Sequence, residues 1–189
     1  GANARVSANN FVASALGMNP GIVSSGLLGQ TNVRSRAFYL NRNYATFDSS
    51  DENTAAADKA KALDEYRLAT VNVENGAKIE SASGGYVILA GGSVNQGGSI
   101  STPNGQALLA AGADLYLKPA YSSALRGFTA EVNPLLVKDA SKSGIASLLA
   151  LSRGADANAV TNTGSISASF GDISLVGHQI VQAGSLYSS

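Results

Sequence analysis

The chain has no cysteine and no tryptophan, one methionine, one histidine and four prolines among its 189 residues. Without cysteine, disulfides and thiolate metal sites are excluded outright. The single histidine, His178, has no second imidazole or thiol to share a metal with. Serine is plentiful, yet no Gly-x-Ser-x-Gly elbow occurs, and a catalytic serine would have only His178 as its base. Charge is scarce as well: 14% of residues carry it, and thirteen basic side chains cancel thirteen acidic ones. That balance argues against nucleic acid or an anionic membrane as a partner, since both call for a clustered positive surface. The longest apolar runs, Tyr86 to Ala90 and Ala107 to Ala111, are far too short to span a bilayer, and no signal-peptide pattern is present. Membrane insertion is therefore not expected. What remains for the surface is Ser, Thr, Asn and Gly, which suits an extracellular stalk.

What the sequence does have is a repeated phrase. An aliphatic residue, a spacer, Asn or Gln, a spacer, Gly, Ser and then Ile or Leu occurs at Val94–Ile100, Val160–Ile166 and Ile180–Leu186. A looser copy spans Val73–Ile79, with its Gly one place early. The aliphatic beat continues outside the phrase, from Val73 through Ile79, Val87, Val94, Ile100 and Ala107 to Leu115, in steps of 6 to 8 residues. It returns from Val160 through Ile166, Ile173 and Ile180 to Leu186. Three steps make one return, so Val73 is expected above Val94. A heptad coiled coil is disfavoured because the residues between beats are Gly, Asn, Ser and Thr, all poor helix formers. Local alternation, as in Val87/Leu89 and Ile173/Leu175, points to short strands instead.

Short strands joined by Gly/Asn corners, three to a return, predict an all-β fold: a parallel β-helix whose turns of about 20 residues stack at about 4.8 Å. Inward Val, Ile and Leu form columns along the axis, and Gly and Asn accept left-handed backbone at corners. Asn75, Gln96, Asn162 and Gln182 share one phase and are expected to stack as hydrogen-bonded amides in a structural role. One domain covers 1–189. Residues 1–35 read as irregular turns, with a Gly/Pro turn at Asn19-Pro20-Gly21. Residues 36–70 read as a side insertion, opening on an aromatic strand (Phe38, Tyr39, Tyr44, Phe47). It passes into a helix, Ala55 to Tyr66, behind a capping box at Ser49–Glu52. Regular turns occupy 71–118. A second, irregular insertion spans 119–159, where Gly144 to Arg153 reads as a short helix or, alternatively, a strand pair. Regular turns then run from Val160 to the last residue, and the missing cap there suggests a piece of a larger protein.

No catalytic, cofactor-binding or metal-binding residue is assigned. The acidic residues Glu74, Glu80, Asp114 and Asp172 are isolated, and stacking would set Glu80 beside Ser101 rather than another carboxylate. His178 reads as a surface or corner residue. Tyr116, Tyr121 and Phe128 near Lys118 and Arg126 have the makings of a sugar-stacking patch, but suit equally the covering of the insertion.

The stretch Gly84 to Leu117 resembles the signature region of the filamentous haemagglutinin family, the large exoproteins of bacterial two-partner secretion. Gly1–Val6 and Asn10–Leu16 resemble the later part of that family's secretion domain. The likeness covers about 71–118 most strongly, with support at 1–17 and 160–189 and none over the two insertions. The family's Asn-Pro-Asn-Gly motif has no counterpart here; Asn19-Pro20-Gly21 is only superficially similar. The resemblance implies a right-handed parallel β-helix and export through an outer-membrane barrel transporter. It further implies a secreted or cell-surface location and attachment to a host or bacterial surface glycan or protein, without catalysis. A monomer without cofactors is expected. The other readings are a stalk presenting a contact-dependent toxin, and a polysaccharide-active enzyme using Asp114 or Asp172.

Overall fold

The computed structural model describes residues 1–24, 35–39, 69–120, 127–133 and 159–189. These residues form an all-β structure of seventeen short strands with one helix. Three parallel sheets account for thirteen of the strands. The first sheet holds β1 (Arg5–Ala8), β6 (Lys78–Ser81), β9 (Ser99–Ser101), β14 (Ser165–Ser167) and β17 (Ser185–Tyr187). The second holds β2 (Phe11–Ser14), β7 (Tyr86–Gly91), β10 (Gln106–Ala111) and β15 (Asp172–Val176). The third holds β5 (Thr70–Val73), β8 (Ser93–Gln96), β13 (Ala159–Asn162) and β16 (Gln179–Gln182). The chain visits first, second and third sheets in that order four times, then returns to the first with β17. One pass through the three sheets makes a circuit.

The register explains why the aliphatic beat exists. Val6, Ile79, Ile100, Ile166 and Leu186 occupy one row of the first sheet. Phe11, Val87, Ala107 and Ile173 form a row of the second, and Val71, Val94, Val160 and Ile180 a row of the third. Val87, Val94 and Ile100 sit in one buried cluster with Ile79, Leu89, Leu109, Val160 and Ile166. At about 25 cal/mol per Å² of apolar surface, these rows supply much of the driving force for stacking.

The expected equivalence of Val73 and Val94 is off by two residues, since Val71 aligns with Val94 and Val73 with Gln96. The cause is local. The connection from β5 to β6 contains a turn, Glu74–Ala77, closed by Ala77 N–H donating to Glu74 O at 3.1 Å, with Gly76 at φ 84°. The corresponding connections after β8, β13 and β16 are two residues shorter.

A four-stranded antiparallel sheet, ordered β12-β11-β4-β3, packs outside the second parallel sheet. It comprises β3 (Gly17–Met18), β4 (Ser35–Tyr39), β11 (Asp114–Pro119) and β12 (Phe128–Asn133). Leu115 therefore does not continue the beat. It pairs with Phe38 and Val132 in this sheet and belongs to a separate core with Ile88 and Leu108. The regular rows thus stop with β10, before the 118 expected. The stretch read as irregular from 119 contains the paired strand β12, and Arg5 to Ser14, also read as irregular, pairs in register with β6 and β7. Asn19-Pro20-Gly21 opens a short helix, α1 (Pro20–Ser24), rather than a turn. Asn19 Oδ1 accepts from Gly21 N–H at 3.0 Å, and proline stands where its missing N–H does no harm. The helix expected at Ala55–Tyr66, the segment Gly144–Arg153, and Tyr44 and Phe47 lie outside the described residues.

The two central strands of the second sheet, β7 and β10, are buried on both faces. Val87, Leu89, Ala107 and Leu109 face the inner cluster, while Ile88, Ala90, Leu108 and Ala110 face the antiparallel sheet. Strands covered on both sides lose their polar alternation, and Tyr86–Gly91 and Gln106–Ala111 are accordingly near-continuous apolar runs.

One corner has a fixed backbone demand. The residue two places before β7, β10 and β15 is left-handed each time: Gly84 (φ 79°), Asn104 (φ 53°) and Phe170 (φ 54°). Gly and Asn tolerate that region; phenylalanine does not, and Phe170 is 68% exposed with little packing to offset the strain. Phe170→Asn is expected to raise the unfolding free energy by about 1 kcal/mol. Urea denaturation followed by circular dichroism measures it, and a loss of stability would mean that the ring is anchored after all.

Candidate functional site

A groove of about 670 Å³ runs along the corner joining the third and first sheets. It crosses four levels of the stack and is lined by Gly76, Gly98, Gly164 and Gly184, the hydroxyl residues Ser99, Thr163, Ser165 and Ser185, and Lys78. Glycine is there for packing: a Cβ on Gly164 or Gly184 would strike the carbonyl of the circuit beneath, at Gly98 or Gly164. The backbone donors of Thr163 to Ser165 and of Ala183 to Ser185 are consumed by stacking. Ser165 N–H donates to Gly98 O at 2.9 Å, Gly184 N–H to Asn162 O at 2.9 Å and Ser185 N–H to Gly164 O at 2.8 Å. At those two levels oriented free amides, the feature that makes glycine loops into phosphate cradles, are therefore not on offer. The groove presents hydroxyls and a single basic residue.

Behind this corner lie the amides singled out by the repeat. Gln96, Asn162 and Gln182 align in one row, as expected, but Asn75 sits in the Glu74–Ala77 turn and Val73 takes its place. The two glutamines fold back on their own corners: Gln96 Nε2 donates to Gly98 O and Gln182 Nε2 to Gly184 O, both at 2.9 Å. Asparagine is one methylene shorter. Asn162 Nδ2 instead donates across the stack to Gln182 Oε1 at 3.0 Å, and its fully buried Oδ1 has no partner. An unpaired buried oxygen costs stability, while an apolar replacement removes the debt. Asn162→Val, copying Val73 in the same row, is expected to leave stability unchanged or raise it by up to about 1 kcal/mol. A fall of the urea midpoint would show that the amide is needed.

Glu80, Asp114 and Asp172 do not converge. Glu80 aligns with Ser7 on one side and Ser101 on the other, as the lap length implied. Asp114 is held in the antiparallel sheet by Arg36, whose Nε donates to Oδ1 at 2.7 Å. Asp172 aligns with Gln106. Among the described residues no three His, Cys, Asp or Glu side chains gather where a metal could bind. His178 is exposed in the link between β15 and β16.

The sugar-stacking patch is not assembled as read. Phe128 is 3% exposed and meets the ring of Tyr86 edge-on at 5.5 Å, beneath the antiparallel sheet. Tyr116 and Lys118 lie on β11, and Tyr121 and Arg126 fall outside the described residues. Burial beside Phe128 pushes the Tyr86 hydroxyl above its ordinary pKa.

One residue that sequence reasoning passed over is Gln106, 3% exposed at the head of β10. Its Nε2 donates to Phe128 O at 2.8 Å and to Ser174 Oγ at 3.1 Å, and its Oε1 accepts from Phe128 N–H at 2.8 Å. The side chain behaves as a short piece of strand that pins β12 to the second sheet. Its signal was a lone amide heading an otherwise apolar buried run.

No protein-family model matches the chain, and no curated protein matches it. No described helix is long and apolar enough to cross a membrane.

Proposed function

We propose that the chain is a right-handed parallel β-helix serving as a non-enzymatic module of a two-partner-secretion exoprotein. In this reading an outer-membrane barrel transporter exports it, and it acts in attachment at the bacterial surface or after release. The observation that carries the reading is the set of in-register aliphatic rows in three parallel sheets visited in one fixed order. A ribbon wound in this way gives a rigid core from few residue types and leaves its exterior free for display. The likeness of Gly84–Leu117 to the haemagglutinin signature supports the export route. The scattered carboxylates and the hydroxyl-lined groove fit display better than acid–base chemistry.

The test is export. The chain, joined to the family's upstream motif, is produced in a Gram-negative host with and without a two-partner transporter. Appearance in the medium or on the cell surface only with the transporter is the expected result. Equal release without it ends the secretion reading. Cleavage of a polysaccharide by the purified chain, lost in Asp114→Asn or Asp172→Asn, would replace the display reading with an enzymatic one.

A further inference from the structure

In the three parallel sheets every strand pairs only with strands of the adjacent circuits. In stacks of this kind a terminal circuit has a single neighbour and opens on its own. The first circuit departs from that pattern. After β2 the chain leaves the stack to form β3, α1 and β4; after β10, in the third circuit, it leaves again to form β11 and β12. β4 then pairs antiparallel with β11, tying the first circuit to the third across the second.

The apolar side of this tie is shared among circuits. Phe38, Leu115 and Phe128 pack with Ile88 of the second circuit and Leu108 of the third, and Val12 and Val176 adjoin from the first and fourth. At the rim Arg36 pairs with Asp114, their side chains 35% and 21% exposed, and the Arg36 guanidinium lies 5.2 Å from the centre of the Tyr39 ring. Among the described residues nothing comparable covers β16 and β17. Ile180 and Leu186 are 48% and 44% exposed, whereas their row-mates Val160 and Ile166 are 0% and 1%.

We infer that the antiparallel sheet is a clasp that couples opening of the first circuit to opening of the third. The first circuit cannot peel from the stack unless β4 parts from β11, and the buried face of the second sheet is then uncovered. The first circuit is consequently held more firmly than β16 and β17, which no such tie joins to another circuit among the described residues.

Amide hydrogen exchange on the whole chain tests this. In the parent chain, β1 and β2 are expected to exchange within about tenfold of β9 and β10, while β16 and β17 exchange at least about a hundredfold faster. Asp114→Lys sets two cations against each other at the rim. It is expected to speed β1, β2 and β4 together, by about tenfold or more, and to leave β14 unchanged. The reciprocal pair, Arg36→Asp with Asp114→Arg, is expected to restore the parent rates. Should Asp114→Lys fail to fold, exchange of the parent chain in sub-denaturing urea decides: β1, β2, β4 and β11 follow one opening isotherm if the clasp couples them. The inference is overturned if β1 and β2 exchange as fast as β17 in the parent chain. It is equally overturned if β4 opens in the variant, or on its own isotherm in urea, while β1 and β2 stay protected.

Discussion

Gly105→Ala is expected to lower the unfolding free energy by about 3 kcal/mol or more, although it adds one methyl group. Gly85, Gly105 and Gly171 lie on top of one another at the corner entering the second sheet. A Cβ on Gly105 would fall deep inside van der Waals contact of the Gly85 carbonyl oxygen. That oxygen cannot swing away like the end of a flexible side chain. It accepts from Gln106 N–H at 3.1 Å, and moving it would spread the stack at this corner. Gly84, one residue before Gly85, is the internal control. It is left-handed at φ 79°, but nothing lies within 4 Å of where its Cβ would be. Gly84→Ala should therefore cost only about 1 kcal/mol, the strain of the backbone conformation. Urea unfolding of the two variants side by side separates them, and equal losses would mean that crowding at the corner is relieved without cost.

Gln106→Leu is the second substitution with a large expected effect, a loss of about 3 kcal/mol. Leucine fills a similar volume, so the loss reports hydrogen bonding rather than a void. Both the N–H and the C=O of Phe128 would be stranded in a buried environment, because the Gln106 carboxamide is the partner of each. Gln106→Glu is expected to destabilise as well, since a carboxylate accepts from the Phe128 N–H but opposes its carbonyl. The same pair of variants should weaken the docking of β12, seen as faster amide exchange at Phe128 and Ala130. If Gln106→Leu unfolds at the parent urea concentration, the amide does not pin the antiparallel sheet.

The rows of the parallel sheets were legible in the sequence because the signal was redundant. Val94, Val160 and Ile180 head three copies of one phrase, and the structure sets them in register. The neighbour of Glu80 was legible for the same reason, since lap length alone places Ser101 beside it. The two-residue slip at Val71 was hidden by Val73, which offers a second valine at the alternate position of the same strand. The antiparallel sheet was not legible. Strand β4 pairs with β11 across a long separation in sequence, and an antiparallel pairing between excursions leaves no periodic trace. Leu115 landed on the beat by coincidence of spacing. The runs at Tyr86–Gly91 and Gln106–Ala111 did carry a hint: strands with one face in water would not be apolar at every position. Of the site, the separation of Glu80, Asp114 and Asp172 could be read beforehand. The groove could not, because its walls are glycine backbone whose spacing only the stacked circuits determine.

Both excursions leave the stack at the same corner, between the second and third sheets, after β2 and after β10. In the second circuit that corner is the single residue Gly92, buried and donating its N–H to Ala69 O at 2.6 Å, and in the fourth it is Gly177-His178, with His178 exposed. The architecture thus carries one vacant socket. A foreign peptide spliced between Gly177 and His178 would emerge beside a rigid frame without threading through any strand, and this chain already tolerates two such graft-like detours.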